Sequence, residues 1–303
     1  MQALVLSGGA NFGALQAGAL EVIFSKTEFR PELISGTSAG ALNALLLASN
    51  PTLEGVKCLQ ELWRSAGPHE VGKPNLLSSA KRFAAHKDSI LSNKLLEQFL
   101  LKSLPHVRTF GELTALCGVR AYATGVCLET SELRIFGDRD DDLLIDGAMS
   151  SSAMAPFLPP WQVGDYRYID GGVFTKLPIF TAIERGATQV VALWIEDLKV
   201  RRDANGMLAY VNHSIALMTR WQVEREIHWA RETGVPVRVF KLTVPPGVSL
   251  WDYSQSDRLI RLGRTLAKRE LKKEPLKFHR SKWTVWTSQI LKKILRSDRP
   301  KPV

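Results

Sequence analysis

Cysteine and long apolar runs are the two features that this sequence has least of. Its 303 residues include three cysteines, Cys58, Cys117 and Cys127, and no C-x-x-C pair. An odd number without paired spacing argues against a disulfide framework and favours free thiols in a reducing compartment. The longest strongly apolar run, Ala44–Ala48, is far shorter than the ~20 residues that a membrane-spanning helix needs. We therefore expect a globular protein without a transmembrane helix.

The N-terminal residues and the distribution of charge set two further bounds on the function. No basic residue precedes the apolar residues at the N-terminus, so we expect no signal peptide. The net charge is +10, but fifteen Lys or Arg and three acidic residues lie from Arg258 onwards, against 25 basic and 27 acidic residues before it. Because the basic charge belongs to one end of the chain, no extended phosphate track is available and no nucleic-acid partner is expected. The prediction is a cytoplasmic protein.

The rest of the chain is organised around Ser38. This serine lies in the G-x-S-x-G pentapeptide of residues 36–40, between a short apolar run and a helix-forming run. The context is typical of a nucleophile elbow, in which Gly36 and Gly40 let a strand and a helix approach closely around a strained serine. The alternative is a glycine-rich loop in which Ser38 is the N-cap of the helix. The other motifs of the chain favour the elbow.

A second glycine-rich turn follows the first predicted strand, Gln2–Leu6. Residues 7–13 read SGGANFG and lead into a predicted helix over Ala14–Phe24. A strand, turn and helix in this order bring backbone N–H groups together towards negative charge. The turn lacks the G-K-[ST] ending of a P-loop and the spacing of G-x-G-x-x-G. A nucleotide-binding function would also leave the Ser38 motif unexplained, and a purely structural turn is the remaining alternative.

Two later motifs complete the set. Residues 150–160 read SSSAMAPFLPP and predict a small-residue helix that ends at Pro156. A predicted strand over Tyr166–Ile169 then runs into Asp170, Gly171 and Gly172. An acidic residue that leaves a strand in this way lies at its C-terminal edge, where sites of α/β proteins form, although a simple Asp-Gly turn is the alternative.

Asp146 is a rival carboxylate. Its place just before the small-residue helix predicts an N-cap role instead. The remaining stretches predict elements without motifs. These are a polar loop or cap over Gly67–Lys87, short helices over Asn93–Leu101 and Thr109–Leu116, paired strands over Val119–Cys127 and Leu133–Phe136, and a helix over Ser254–Lys273.

Together the motifs resemble the patatin-like phospholipase family. The resemblance extends from Leu4 to about Val191 and rests on SGGANFG, GTSAG, SSAMAPFLPP and DGGVFTKLP, in the family's order. It implies a three-layer α/β/α fold with a mainly parallel central sheet, and a lipid acyl hydrolase of the phospholipase A, lysophospholipase or esterase type. It also implies a Ser–Asp dyad that acts through an acyl-enzyme, with Ser38 as the nucleophile and Asp170 as its partner. By motif position the oxyanion turn comprises Gly8, Gly9, Ala10 and Gly13.

The sequence departs from the family pattern at three positions. Ala10 replaces the usual third glycine of the first turn, and Phe12 stands where a basic residue is common, which would remove a charge near the acyl or headgroup site. Lys176 replaces a frequent asparagine after the Asp-Gly-Gly turn. None of these positions belongs to the dyad, so we still expect hydrolysis, with the headgroup preference open. A catalytically weak lipid- or acyl-binding module of the same fold is the alternative function.

The histidines do not indicate a catalytic triad. The chain has six, and none lies in a motif, although spacing alone leaves a Ser-His-Asp arrangement open. In a dyad, Asp170 takes the proton of Ser38 directly as the hydroxyl attacks the ester. An ordinary aspartate pKa near ~4 suits this task poorly, so burial should raise it. No metal or other cofactor is expected, the partner is a lipid or acyl-ester substrate, and the oligomeric state is not predicted.

We predict a patatin-like catalytic domain over residues 1–274 and a basic amphipathic tail over residues 275–303. Large apolar residues recur at helical spacing between residues 282 and 296, beside basic ones. Tryptophans on the apolar side of a basic helix are typical of an interfacial anchor, which predicts peripheral contact with the anionic inner face of a membrane. Packing of the same stripe on the domain is the alternative. The predicted anchor residues are Trp283, Trp286, Lys292 and Lys293.

Overall fold

The computed structural model describes residues 1–67, 89–104, 106–196 and 206–276. Within these ranges eight strands form one sheet. In chain order they are β1 (Gln2–Leu6), β2 (Leu33–Gly36), β3 (Arg120–Cys127), β4 (Leu133–Phe136), β5 (Trp161–Val163), β6 (Tyr166–Asp170), β7 (Gln189–Glu196) and β8 (Val237–Thr243). The spatial order is β5-β6-β3-β2-β1-β7-β8, with β4 paired to β3. The five strands from β3 to β8 in this order are parallel, and β4, β5 and β6 add antiparallel pairings at one side.

Helices connect the strands and cover both faces of the sheet. The described α-helices are α1 (Gly13–Lys26), α2 (Ala39–Ser49), α3 (Leu53–Ser65), α4 (Lys94–Ser103), α5 (Phe110–Cys117), α6 (Leu144–Ser152), α7 (Ile179–Glu184), α8 (Met207–Glu232) and α9 (Ser256–Lys273). None of them combines the length and hydropathy that a bilayer span requires. Short 3-10 turns occupy Ala10–Phe12, Gly171–Val173 and Tyr253–Gln255.

The strands divide the interior into two cores. Alternate residues of a strand point to opposite faces, so Leu4 and Leu6 of β1 enter one core while Ala3 and Val5 enter the other. The larger core also contains buried residues of α1, α2, α3 and α9, whereas the smaller one is closed by α7 and α8. The molecule is therefore a three-layer α/β/α structure around a mixed, mostly parallel sheet, as predicted.

Most of the predicted elements are present, with one clear correction. The predicted strands of residues 119–127 and 133–136 pair antiparallel as β3 and β4, with Val126 opposite Leu133. The predicted small-residue helix is wrong in its bounds, because α6 begins at Leu144 and ends at Ser152, before the Pro156 expected to end it. Most of the predicted polar loop over Gly67–Lys87 lies outside the described residues.

The predicted tail anchor, Trp283, Trp286, Lys292 and Lys293, also lies outside the described residues. The division into a domain over residues 1–274 and a tail over residues 275–303 therefore stays a prediction.

Candidate active site

Ser38 lies at a sharp turn between β2 and α2. Its backbone has φ 56° and ψ −130°, a left-handed value that is uncommon outside glycine. The two flanking glycines are required by contact distance. A Cβ on Gly36 would lie 2.2 Å from the carbonyl oxygen of Gly40, and a Cβ on Gly40 would lie 2.3 Å from that of Leu6. Any larger residue at either position would force the strand, the helix and β1 apart, so the pentapeptide has the geometry of a nucleophile elbow.

Ser38 follows β2 and Asp170 ends β6, and both of these strands pair with β3. On β3, Gly36 is paired with Ala123 and Asp170 is paired with Gly125. Because β2 is parallel to β3 and β6 is antiparallel to it, the C-terminal ends of β2 and β6 meet nearly head-on, two residues apart in the register of β3. The Ser38 hydroxyl is close enough to the Asp170 carboxylate to interact with it, and this interaction lowers the pKa of Asp170.

The carboxyl group of Asp170 is buried, and this dominates its protonation. Burial raises the pKa of Asp170 to about 6, against opposing effects from the Gly172 N–H, the Ser38 hydroxyl and the positive charge of Lys176. The Gly172 N–H donates to Asp170 Oδ1 at 2.7 Å, so the turn that follows Asp170 holds its carboxylate in place. The result is a carboxylate that is ionised at neutral pH yet more basic than an ordinary aspartate.

The first glycine-rich turn packs directly against the elbow. A Cβ on Gly8 would lie 3.1 Å from the Cβ of Ser38. Some N–H groups of the turn already have acceptors. That of Gly8 donates to the Lys176 carbonyl at 3.0 Å, and that of Gly13 donates to the Ala10 carbonyl. Within the described chain the N–H groups of Gly9 and Ala10 have no protein acceptor, so these two amides are free to bind an anion.

Different constraints act on the side chains at positions 10 and 13. Ala10 adopts φ 48°, the left-handed conformation in which glycine is the usual residue. Gly13 instead has ordinary helical angles, and a Cβ there would lie 2.3 Å from the Trp63 ring. The expectation that residue 12 lies near the acyl or headgroup site is wrong, because the Phe12 side chain is buried in the larger core.

A buried hydrogen-bond network holds the first turn in place. The Gln16 side chain donates to the Ser7 carbonyl at 2.9 Å, and the Asn43 side chain donates to the Gly13 carbonyl at 3.1 Å and to Gln16 Oε1 at 2.8 Å. Trp63 Nε1 completes the network by donating to Asn43 Oδ1 at 2.8 Å. A buried network whose members are bonded to one another rigidifies the backbone that it contacts.

The end of α6 binds both halves of the site. The backbone N–H of Ser38 donates to Ser151 Oγ at 2.8 Å, and the backbone N–H of Asp170 donates to the Ala153 carbonyl at 3.0 Å. The small residues of SSSAMA thus fit against the elbow and also position the acid. The family motif marks this helix, but nothing in the local sequence indicates that Ser151 is the acceptor for the Ser38 amide.

Asp146 does not cap α6. It lies inside the first turn of that helix, whose N-cap is Leu143, and its Oδ1 accepts a hydrogen bond from Trp161 Nε1 at 2.9 Å. The prediction of an N-cap is therefore wrong. Burial raises the pKa of Asp146, although the bond from Trp161 opposes the rise. This carboxylate is engaged in a structural contact away from the elbow.

An apolar pocket begins at Ser38. The pocket is partly open to solvent. Its lining is mainly aliphatic and aromatic and includes Leu42, Leu96, Phe99, Met154, Leu158 and Trp251. Ala10 and Ser38 both line this pocket, so the first turn and the elbow adjoin one apolar space.

Glu226 of α8 is a half-buried acid that sequence reasoning missed. Its carboxylate accepts hydrogen bonds from the hydroxyl of Thr175 and from the N–H of Phe180 at 3.0 Å. Burial raises the pKa of Glu226 to about 7, against these bonds and one from the Ile179 N–H. The signal available in the sequence was the helical spacing of Val223 and Ala230, which places Glu226 on the buried side of α8.

The histidines in the described chain do not complete a triad. His106, His213 and His228 lie in these ranges, and none of them hydrogen bonds to Ser38 or Asp170. His228 instead lies 3.2 Å from Glu232, one turn along α8. The described residues also contain no group of three or more His, Cys, Asp or Glu side chains arranged to hold a metal ion.

The sequence matches the profile of the patatin-like phospholipase family over residues 4–183, which is more than half of the chain. The chain belongs to this family. The family is one of lipid hydrolases, and the fold expected of patatin-like proteins is the fold observed. Comparison with curated protein sequences gives no match.

Solved structures with similarity to this patatin-like chain include two bacterial proteins. VipD from Legionella pneumophila has 12% sequence identity and a TM-score of 0.49, over 98% of this chain and 75% of that one. ExoU, in its heterodimeric complex with SpcU from the Pseudomonas aeruginosa type III secretion system, has 18% identity and a TM-score of 0.43. That match covers 90% of this chain and 51% of the ExoU chain, so the present chain spans about half the length of ExoU.

Proposed function

We propose that this protein hydrolyses carboxylic esters of lipids, with Ser38 as the nucleophile and Asp170 as the general base. The observation that carries the proposal is the meeting of the two residues at the ends of β2 and β6. It brings a strained serine within reach of a buried carboxylate whose pKa burial raises to about 6. A nucleophile beside a base, with free N–H donors and an apolar pocket at the same place, is suited to acyl transfer.

In the first half of the reaction the Ser38 oxygen attacks the ester carbonyl carbon and its proton passes to the Asp170 carboxylate. The carbonyl oxygen becomes an oxyanion, for which the free N–H groups of Gly9 and Ala10 are the proposed donors. Such preorganised donors supply a large part of the rate in acyl transfer. The intermediate then collapses, the C–O bond of the ester breaks, and the leaving alcohol takes the proton from Asp170.

In the second half a water molecule attacks the acyl-enzyme. Asp170 accepts one proton of this water, the second tetrahedral intermediate collapses, and Ser38 regains its proton as the fatty acid leaves. A single carboxylate serves both steps because it is alternately base and acid. A raised pKa favours this role, since an ordinary aspartate is a weaker base for a hydroxyl proton.

The pocket suggests which part of the substrate lies where. An acyl chain in the apolar space beside Leu96, Phe99 and Leu158 would present its carbonyl carbon to Ser38. Removal of its methylene groups from water stabilises the complex by about 0.8 kcal/mol for each group that is fully buried. The leaving group would then lie outside the pocket. We accordingly propose a long-chain acyl ester as the preferred substrate class.

Labelling with a serine-directed fluorophosphonate tests the proposed chemistry. The wild-type protein should be labelled, Ser38→Ala should not, and Ser150→Ala should be labelled like the wild type. Labelling of Ser38→Ala to the wild-type extent would show that another residue is the nucleophile. If no variant is labelled but a fatty acid still binds, the chain is a catalytically weak acyl-binding module and the proposed function is wrong.

A further inference from the structure

The long helix α8 is apolar on the side that faces solvent. Tyr210, Val211, Ile215, Leu217, Met218 and Trp221 are all exposed, with Met218 at 65% and Trp221 at 62%. These six residues, which we call the outer stripe, spread over nearly half of the helix circumference. On a surface helix the apolar face normally points to the core and the charged face to water. The N-terminal half of α8 departs from this arrangement, because its large apolar residues are exposed.

Charge is also missing from this half of the helix. Residues 207–219 read MLAYVNHSIALMT and contain no Asp, Glu, Lys or Arg, although charged residues make up 23% of the chain. None of the side chains described between Tyr210 and Trp221 is buried. An exposed, uncharged apolar segment of this size marks a surface that another apolar phase covers.

The position of the outer stripe relative to the catalytic edge follows from the topology. The helix starts after the C-terminal end of β7 and returns to the start of β8, so it runs antiparallel to the strands. A helix of 26 residues is about 39 Å long, whereas the eight residues of β7 extend about 26 Å. One end of α8 must therefore project beyond the sheet.

A hydrogen bond shows which end projects. Gln222 Nε2 donates to the Val173 carbonyl at 2.6 Å, and Val173 lies three residues after Asp170. Residue 222 is thus level with the catalytic turn, and from Val223 onwards the inner face of the helix is buried against the sheet. The preceding residues of α8 continue beyond the catalytic edge for about 22 Å.

The turn itself continues the apolar surface. Val173 and Phe174, which follow the Asp-Gly-Gly turn, are exposed at 49% and 46%. The outer stripe and this pair adjoin the same edge of the sheet as Ser38. The helix is held there from its inner side, because Glu226 accepts hydrogen bonds from the Thr175 hydroxyl and the Phe180 N–H. The exposed apolar surface is therefore attached to the loop that carries Asp170.

We infer that the outer stripe of α8 inserts into the lipid surface that contains the substrate and so brings the catalytic edge against it. The inference rests on the proposed function. The occupant is a lipid surface because the stripe is uncharged, adjoins the catalytic turn of a member of a lipid hydrolase family, and carries Tyr210 and Trp221, aromatic types that favour membrane interfaces. Insertion of an uncharged stripe predicts binding that does not require anionic lipid and does not weaken in salt.

Flotation with phosphatidylcholine vesicles in 1 M NaCl tests this docking, since the salt screens any contribution of basic residues. The wild-type chain should float with the vesicles, and a Leu217→Glu/Met218→Glu double variant should bind more than about ten-fold more weakly. The matched control is Leu101→Glu/Leu116→Glu, which changes two exposed leucines of α4 and α5 and should float like the wild type. Circular dichroism and turnover of a soluble short-chain ester should be the same in all three proteins.

The possible results separate docking from catalysis. Equal flotation of the wild type and the stripe variant overturns the docking proposal, whatever the esterase activity. Stripe-dependent flotation of a protein that turns over no soluble ester supports docking and refutes the proposed function. A third result also overturns the inference: the wild type is a dimer, the stripe variant is a monomer, and both float equally well. In that case a second copy of the chain covers this face.

Discussion

The backbone N–H of Ser38 donates to Ser151 Oγ, 113 residues further along the chain, at 2.8 Å. This bond ties the strained elbow to the end of α6, and the Ala153 carbonyl two residues later accepts the N–H of Asp170. One short segment thereby fixes the backbone of both proposed catalytic residues. The orientation of the serine towards the carboxylate therefore depends on this segment as well as on the elbow.

Replacing Ser151 with alanine should lower turnover without unfolding the protein. Loss of one buried acceptor leaves the Ser38 N–H unpaired, which costs about 1–3 kcal/mol and loosens the elbow. We expect kcat to fall about ten-fold with little change in KM for a soluble ester. Ser150→Ala is the matched control, because the hydroxyl of Ser150 has no partner in the described chain. Equal kcat values for the two variants would contradict a positioning role for Ser151.

Turnover should depend on the ionisation of Asp170. Burial raises its pKa to about 6, and the base must be deprotonated to accept the serine proton. We therefore expect kcat/KM to rise with pH, with a midpoint near pH 6 and a plateau above it. Glu226, whose pKa is raised to about 7, titrates nearby, so the profile should also be measured for Glu226→Gln. A midpoint that disappears in this variant would assign the titration to Glu226 and not to Asp170.

Stability should fall as pH rises through the titration of Glu226. Its pKa is about 7 in the folded protein against an ordinary value of 4.5, so the folded state binds this proton more tightly. The corresponding stabilisation is complete below pH 4.5 and is lost as the pH approaches and passes 7. The loss should be about 3 kcal/mol in the free energy of unfolding. Urea denaturation at pH 4.5, 6 and 8 measures it, and a wild-type pH dependence that is unchanged in Glu226→Gln would refute this assignment.

Ala10 should be a point of strain in the first turn. At φ 48° an alanine is less favourable than glycine, so Ala10→Gly should raise the free energy of unfolding by about 0.5–1 kcal/mol. Ser131→Gly provides the comparison, since Ser131 has φ 57° in the turn between β3 and β4, far from the proposed dyad in sequence. Both variants should be stabilised and both should retain turnover. A destabilised Ala10→Gly would mean that the alanine methyl group makes a contact that outweighs the strain.

What the sequence predicted well is what is encoded locally. Gly36, Ser38 and Gly40 act within one turn, and their spacing predicts the close approach of strand and helix that the structure shows. The order of strands and helices around Asp170 likewise gave its place at a strand end. These features need no knowledge of distant residues, because the motif itself contains the atoms that must come close.

What it could not predict depends on contacts between distant segments. The acceptor for the Ser38 amide, the capping of the α7 amides by Glu226 and the anchoring of Asn11 to the Ser249 and Asp252 carbonyls join residues that are 46 to 241 positions apart. Asp146 shows a different difficulty. An acid in the first turn of a helix gives nearly the same signal as an N-cap acid, and only the true start at Leu144 separates the two.

The central claim is that Ser38 and Asp170 act as one catalytic unit, and its most direct test is the hydrolysis of a soluble short-chain ester by four variants. We predict that Ser38→Ala and Asp170→Asn each lower kcat by at least about a thousand-fold, and that the double variant is little worse than either, because members of one unit act non-additively. Asp146→Asn, the matched control, should keep near-normal turnover since Asn can still accept the bond from Trp161. If Asp170→Asn keeps kcat within about ten-fold of the wild type while Ser38→Ala is inactive, Asp170 is not the base and the dyad is wrong.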